Sequence, residues 1–195
     1  MIDFLATGKL GPLSVVQNRA EVESLLGTPD DTDLCPFYRR YGNLEILFAE
    51  AEPHSIRWFQ IEGFAYMRRA TTALCSRLRL QLDGVRRSTT VSKLIRLSLR
   101  QPAETELHFY ADGDEFVLHL FLGDAVEVVG TCQADSGSEW QPGRSPSPFP
   151  EDRFDIDSIY GHSTPSGREQ RKALSRIVTH RVSGTDYLQQ AAATK

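Results

Sequence analysis

Three runs of strand-forming residues, Glu106–Tyr110, Phe116–Phe121 and Ala125–Thr131, crowd into a short stretch of this chain and constrain its fold more than any other feature. The gaps between them are of turn length, so neighbouring runs pair antiparallel. Asp112-Gly113-Asp114 supplies the turn chemistry of the first gap. A second set of strand signals lies upstream. Phe37–Tyr41 and Leu44–Phe48 flank the hairpin dipeptide Gly42-Asn43, and Ile56–Ile61 follows. Each set is preceded by a helix signal. Asn18-Arg19-Ala20-Glu21 has the form of a capping box, Val22, Leu25 and Leu26 recur at helical spacing, and Gly27 and Pro29 stop the helix. Downstream, Ser88-Thr89-Thr90 caps a helix through Val91, Leu94 and Ile95, with Leu97–Leu99 readable as a strand. Arg77–Leu82 alternates strictly, which places Leu78, Leu80 and Leu82 on the buried face of a strand.

The predicted fold class is therefore α+β. It comprises two similar helix-plus-antiparallel-sheet units, at 1–62 and 63–134, either sharing one core or folding separately. Similarity of the units rests on an offset of 69 residues that matches Val22 with Val91, Leu25 with Leu94, Leu26 with Ile95 and Tyr41 with Tyr110. A few residues on, Leu44–Phe48 aligns with Val117–Phe121. A Pro/Ser/Gly-rich segment, 135–165, reads as a linker. Residues 166–195 read as a C-terminal helical tail, with Ser166 as N-cap, Glu169 three positions on and Gly184 as its end.

Charge divides unevenly along the chain. Residues 1–62 carry a net charge of −5, whereas Arg68 to Arg100 holds nine basic residues against one acid, Asp83. No apolar run approaches the roughly 20 residues of a membrane-spanning helix. The first residues lack a secretory signal, and no lipidation motif is visible. Cys35, Cys75 and Cys132 are odd in number and fit no zinc spacing, as reduced thiols would be. A cytoplasmic location is the expectation.

Residues that could carry chemistry are scattered. The five histidines form no metal-binding motif, although His108 and His119 lie in strands that can face each other across a sheet. No phosphate-binding loop or nucleophile elbow occurs. The sequence thus predicts no catalytic residue, no metal and no cofactor. Tyr38, Tyr41, Trp58, Phe59 and Tyr110 can form a binding face or fill the core between helix and sheet.

The helix Val22-Glu23-Ser24-Leu25-Leu26-Gly27-Thr28-Pro29, followed by Tyr41-Gly42 and the strand Asn43–Phe48, resembles a pattern of small bacterial α+β modules. These include the SmpA/OmlA outer-membrane lipoproteins, tandem-repeat β-lactamase inhibitor proteins and immunity proteins that accompany secreted toxins. The lipoproteins' signal peptide and lipobox cysteine are missing here. The resemblance implies a protein that acts by binding another protein. With the acidic first unit, it points to a basic partner such as a toxin domain. Asp30, Asp31, Asp33, Tyr38, Glu50 and Glu52 are the candidate partner-binding residues. The alternative is a nucleic-acid-associated or regulatory protein that uses Arg68, Arg69, Arg86, Arg87, Arg96 and Arg100 of the basic stretch 68–100.

Overall fold

The capping box forms as its sequence dictates. In the computed structural model, which describes residues 1–31, 37–101, 104–112, 115–133, 154–178 and 180–193, the Asn18 side chain accepts from the Glu21 N–H. The Glu21 carboxylate in turn accepts from the Asn18 N–H, so two otherwise orphaned donors are satisfied at the start of α2 (Arg19–Leu26). Gly27 follows with φ +88°, a conformation that favours glycine. Strands β1 (Tyr38–Tyr41), β2 (Leu44–Phe48) and β3 (Ile56–Ile61) form the meander that the two strand runs and the Gly42-Asn43 turn predict. Helix α3 (Val91–Leu97) starts from Thr90, whose hydroxyl accepts from the Lys93 N–H. A second meander follows, made of β6 (Thr105–Asp112), β7 (Glu115–Leu122) and β8 (Val126–Gln133).

All these strands join one eight-stranded antiparallel sheet in the order β1-β2-β3-β9-β8-β7-β6-β10. The strand that unites the meanders is β9 (Asp155–His162), between β3 and β8; β10 (His180–Ser183) closes the far edge. A separate two-stranded piece pairs β4 (Thr71–Ala73) with β5 (Arg79–Gln81), and Leu78, Leu80 and Leu82 are buried as their alternation requires.

One face of the sheet carries the main core. Leu44, Ile46, Phe48, Phe59, Leu107, Phe109, Leu118, Leu120, Val126, Val128 and Ile159 point into it from the strands. They meet Phe4 and Leu5 of α1 (Ile2–Thr7), Val22 and Leu26 of α2, Val91, Leu94 and Ile95 of α3, and Tyr187 of α5 (Gly184–Ala193). The opposite face has one helix on it among the described residues, α4 (Thr164–Leu174). Val117, Phe121 and Leu174 are buried yet stand outside the main cluster. No helix among the described residues is long and apolar enough to cross a membrane.

The structure departs from the sequence reading at several places. Residues 155–162, inside the predicted linker, are a central strand; a bulge between Ile156 and Ser158, opposite Val129 and Gly130, breaks the period of two, so that Ile156 and Ile159 both join the main core. Helix α4 begins from Ser163, with Pro165 in its first turn, rather than from Ser166. Gly184 opens α5 instead of ending a helix, and the predicted helical tail also contains β10. Leu97 ends α3, and Leu99 is exposed with φ +55°, so no strand forms there. In the offset match, Val22 and Val91 are both buried on helices, but Leu44, Ile46 and Phe48 face the main core whereas Val117, His119 and Phe121 line the other face.

Candidate functional site

The predicted partner-binding residues do not gather at one place. The Asp30 carboxylate accepts from the Gly42 N–H at 2.5 Å and so braces the β1–β2 turn, while Asp31 bridges to Arg40 through the backbone. Glu50 and Glu52 lie beyond the opposite end of that hairpin, in the β2–β3 connection, where Glu52 pairs with His54 at 2.9 Å. Asp33 lies outside the described residues, as do Cys35 and the Gly113-Asp114 turn. Tyr38 alone lies on the sheet face away from the main core.

Strand alternation assembles that face from all eight strands. It receives Tyr38 and Arg40 from β1, Glu45 and Leu47 from β2, and Trp58 and Gln60 from β3. Tyr160 and His162 come from β9, Glu127 from β8, His119 and Phe121 from β7, Glu106 and His108 from β6, and Arg181 from β10. The rings form a band across the strands. Trp58 meets Tyr160 edge-on at 5.8 Å, and Tyr160 stacks on His162 at 5.7 Å. Farther along, Tyr110 stacks on His119 at 5.8 Å and His108 packs on Phe121 at 5.1 Å. His108 and His119 are direct partners in the β6–β7 register, as the strand reading anticipates.

Glu127 sits at the centre of the band, 1% exposed. One carboxylate oxygen accepts from His119 Nδ1 at 2.5 Å and the other from His162 Nε2 at 2.7 Å. Burial pushes this carboxyl up, but the hydrogen bonds and electrostatic pull of the two imidazoles outweigh it and bring it down to about 2. Both ring nitrogens facing Glu127 are donors. His119 Nε2 and His162 Nδ1 are buried without a hydrogen-bond partner among the described residues. The two imidazoles address different oxygens of one carboxylate, and no group of three ligands among the described residues could hold a metal.

Polar contacts hold α4 in place beside this network. Arg171 donates to the Gly123 carbonyl, pairs with Asp124 at 3.4 Å and lies 4.8 Å over the Phe121 ring. Arg168 reaches Asp124 at 3.1 Å. Gly167 permits the close approach, since a Cβ there would stand 2.2 Å from the Asp124 carbonyl oxygen. At the other side of the helix, Arg57 pairs with Glu169 at 2.7 Å. Between α4 and the sheet a cavity of about 440 Å³ opens, lined by Leu47, Arg57, Trp58, Glu127, Tyr160, His162, Ser166, Glu169, Gln170 and Ala173. That volume lies within the range of small-ligand sites, roughly 300 to 1,000 Å³.

Beyond the cavity, toward β1, the face turns acidic. Glu62 and Glu45 lie on this face, and burial together with the neighbouring Glu45 raises the Glu62 carboxyl above its ordinary range, with Arg40 acting in the opposite direction. Tyr38 hydrogen-bonds Glu45, and its phenol is raised by burial and by Glu45 and Glu62. The phenol of Tyr160 is raised by burial and by Glu127, Glu45 and Glu62, while its bond with Ser158 lowers it. The carboxyls Glu45, Glu62 and Glu127 thus lie along the aromatic band from β1 to β8.

Part of the basic stretch is committed to contacts within the chain. Arg87 pairs with Asp155 at 2.6 Å, Lys93 donates to the Gly84 carbonyl and Arg77 to the Ser24 carbonyl. The Arg100 guanidinium packs on Gly123. Arg68, Arg69, Arg86 and Arg96 are exposed.

Sequence reasoning misses Glu45, Glu62, Glu127, Tyr160, His162 and the whole role of α4. One signal was available: Glu127 is a lone charge among the valines Val126, Val128 and Val129 of a central strand. The chain matches no family model, no curated protein and no solved structure.

Proposed function

We propose that this chain is a non-enzymatic protein-binding module, an immunity-type inhibitor that neutralises a basic partner protein through the open, acidic and aromatic face of its sheet. The observation that carries this reading is the Glu45–Glu62 pair. Two carboxyls lie on a part of the face that no helix of the described residues covers, and burial and Glu45 raise the Glu62 carboxyl above its ordinary range. Such a pair works against the isolated protein. A cation delivered by a partner resolves the conflict, and the flanking rings of Tyr38, Trp58 and Tyr160 add the rigid contact area that interfaces favour. Acidic surface of this kind mainly accelerates encounter with a basic partner. The binding face thus differs from the acidic loops that sequence suggests, with Tyr38 common to both. We further read α2 with β1–β3 and α3 with β6–β8 as two versions of one helix-plus-meander unit, joined into one sheet by β9.

The test compares two variants in capture from the native source. One is Glu45→Gln/Glu62→Gln on the face; the other is Glu50→Gln/Glu52→Gln on the β2–β3 loop. A stoichiometric basic protein should be retained by the wild type and the loop variant and lost by the face variant. Equal retention by the face variant would overturn the proposal. Retention of nucleic acid alone, lost steeply with salt, would favour the basic stretch 68–100.

A further inference from the structure

We infer that the cavity between α4 and the sheet is an anchor site for a single arginine side chain, and, resting on the reading above, that this arginine belongs to the basic partner. The pocket has an aromatic corner, a buried anion and a rim carboxylate. Trp58 and Tyr160 meet at 75°, so two flat faces stand at right angles and a planar cation can lie on one against the edge of the other. Glu127 forms part of the lining. Each of its oxygens accepts from one imidazole and retains acceptor capacity, and no lysine or arginine reaches it among the hydrogen bonds and ion pairs of the described residues. Its charge acts in a site largely withdrawn from water, where it is felt more strongly than at the surface. His162, 4% exposed, also lines the cavity, and its Nδ1 has no partner there.

Guanidinium rather than ammonium follows from shape and from a group already present. Arginine stacks on aromatic faces, is more weakly hydrated than lysine and meets carboxylates through a planar fork. Arg57 places a guanidinium 2.7 Å from Glu169 at the cavity rim, with the pair half-exposed and exposed respectively, so the rim carboxylate already accepts this ligand chemistry. An incoming arginine takes the same carboxylate from Arg57. With Arg57 and Glu169 compensating each other, the remaining carboxylate of the lining is Glu127.

The experiment uses the full chain and three small probes: N-acetyl-arginine amide, N-acetyl-lysine amide and N-acetyl-citrulline amide. Binding is read from the Trp58 indole N–H resonance, assigned with Trp58→Phe. Arginine amide should shift this resonance saturably, with citrulline amide at least about tenfold weaker, which corresponds to about 1.4 kcal/mol, and lysine amide intermediate. Glu169→Gln and Tyr160→Leu should each weaken the arginine probe, while Arg57→Gln should strengthen it by removing the internal competitor. Equal binding of citrulline amide, or no shift with any probe, would overturn the anchor; equal binding of lysine amide would overturn the guanidinium assignment. These outcomes are separable from failure of the proposed function. If Glu45→Gln/Glu62→Gln abolishes partner capture while no probe binds, the face reading stands and the arginine anchor falls. If the probes bind as expected but the face variant retains its partner, the pocket stands and the face reading falls.

Discussion

Replacing Glu127 by glutamine isolates the charge at the centre of the sheet face from the space it fills. The carboxyl is held at about 2 instead of 4.5 in the folded chain, which corresponds to about 3 kcal/mol of stability in favour of the ionised folded form. Because the folded value is the lower one, this contribution is complete above the unfolded carboxyl's pKa. It disappears as pH falls from about 4.5 toward about 2, where both states bind the proton. Glutamine keeps the shape and one acceptor but presents an amide donor where the second oxygen stood. Either His119 or His162 must then switch tautomer to keep its bond. Urea denaturation followed by circular dichroism should show Glu127→Gln less stable than wild type by about 2 to 3 kcal/mol at pH 7, with an unchanged m-value. At pH 2.5 the difference should shrink below about 1 kcal/mol. A domain with about 5 to 15 kcal/mol in hand tolerates the substitution. An equal loss at both pH values would refute the reasoning, because the cost would then lie in packing and not in the carboxylate.

Three further outcomes follow from the same structure. Gly167→Ala, which in an exposed helix would stabilise by about 1 kcal/mol, should instead loosen α4, since its Cβ would stand 2.2 Å from the Asp124 carbonyl oxygen. Hydrogen exchange should become faster across Thr164–Leu174, and slower exchange would contradict the docking geometry. Asn18→Ala should cost about 1 kcal/mol in urea midpoint measurements by removing half of the capping box at α2. Glu62→Gln should stabilise the isolated chain at pH 7 and leave it unchanged at pH 3. Its folded carboxyl is raised by burial and by Glu45, so ionisation opposes folding only as pH rises through that range. The gain should stay below about 1 kcal/mol for a group only partly buried.

Local signals in the sequence encode much of the fold and little of the site. The capping box at Asn18–Glu21, the Gly42-Asn43 turn, the alternation of Leu78, Leu80 and Leu82 and the three runs from Glu106 to Thr131 each specify an element from neighbouring residues alone. The joining of the meanders was not legible, because β9 reads as linker continuation and its bulge breaks the period of two. The site depends on that joining. Glu127 meets His119 within the β7–β8 ladder, but it meets His162 only because β9 inserts beside β8, 35 residues away in the chain. Trp58 reaches Tyr160 for the same reason, across the β3–β9 pairing. Acidic residues clustered in sequence, such as Asp30 and Asp31, proved to be committed to backbone contacts, whereas the carboxyls that share a face, Glu45 and Glu62, are separated by a strand and a loop.

The central claim, that the open face of the sheet recognises a basic protein, is tested most directly by titrating the captured partner against wild type and Glu45→Gln/Glu62→Gln. The same titration is repeated with the loop variant Glu50→Gln/Glu52→Gln. The account predicts that the face variant is more stable than wild type at pH 7 yet binds the partner at least about tenfold more weakly, a loss of about 1.4 kcal/mol, with the loop variant close to wild type. Unchanged affinity in the face variant, or a loss confined to the loop variant, would contradict it.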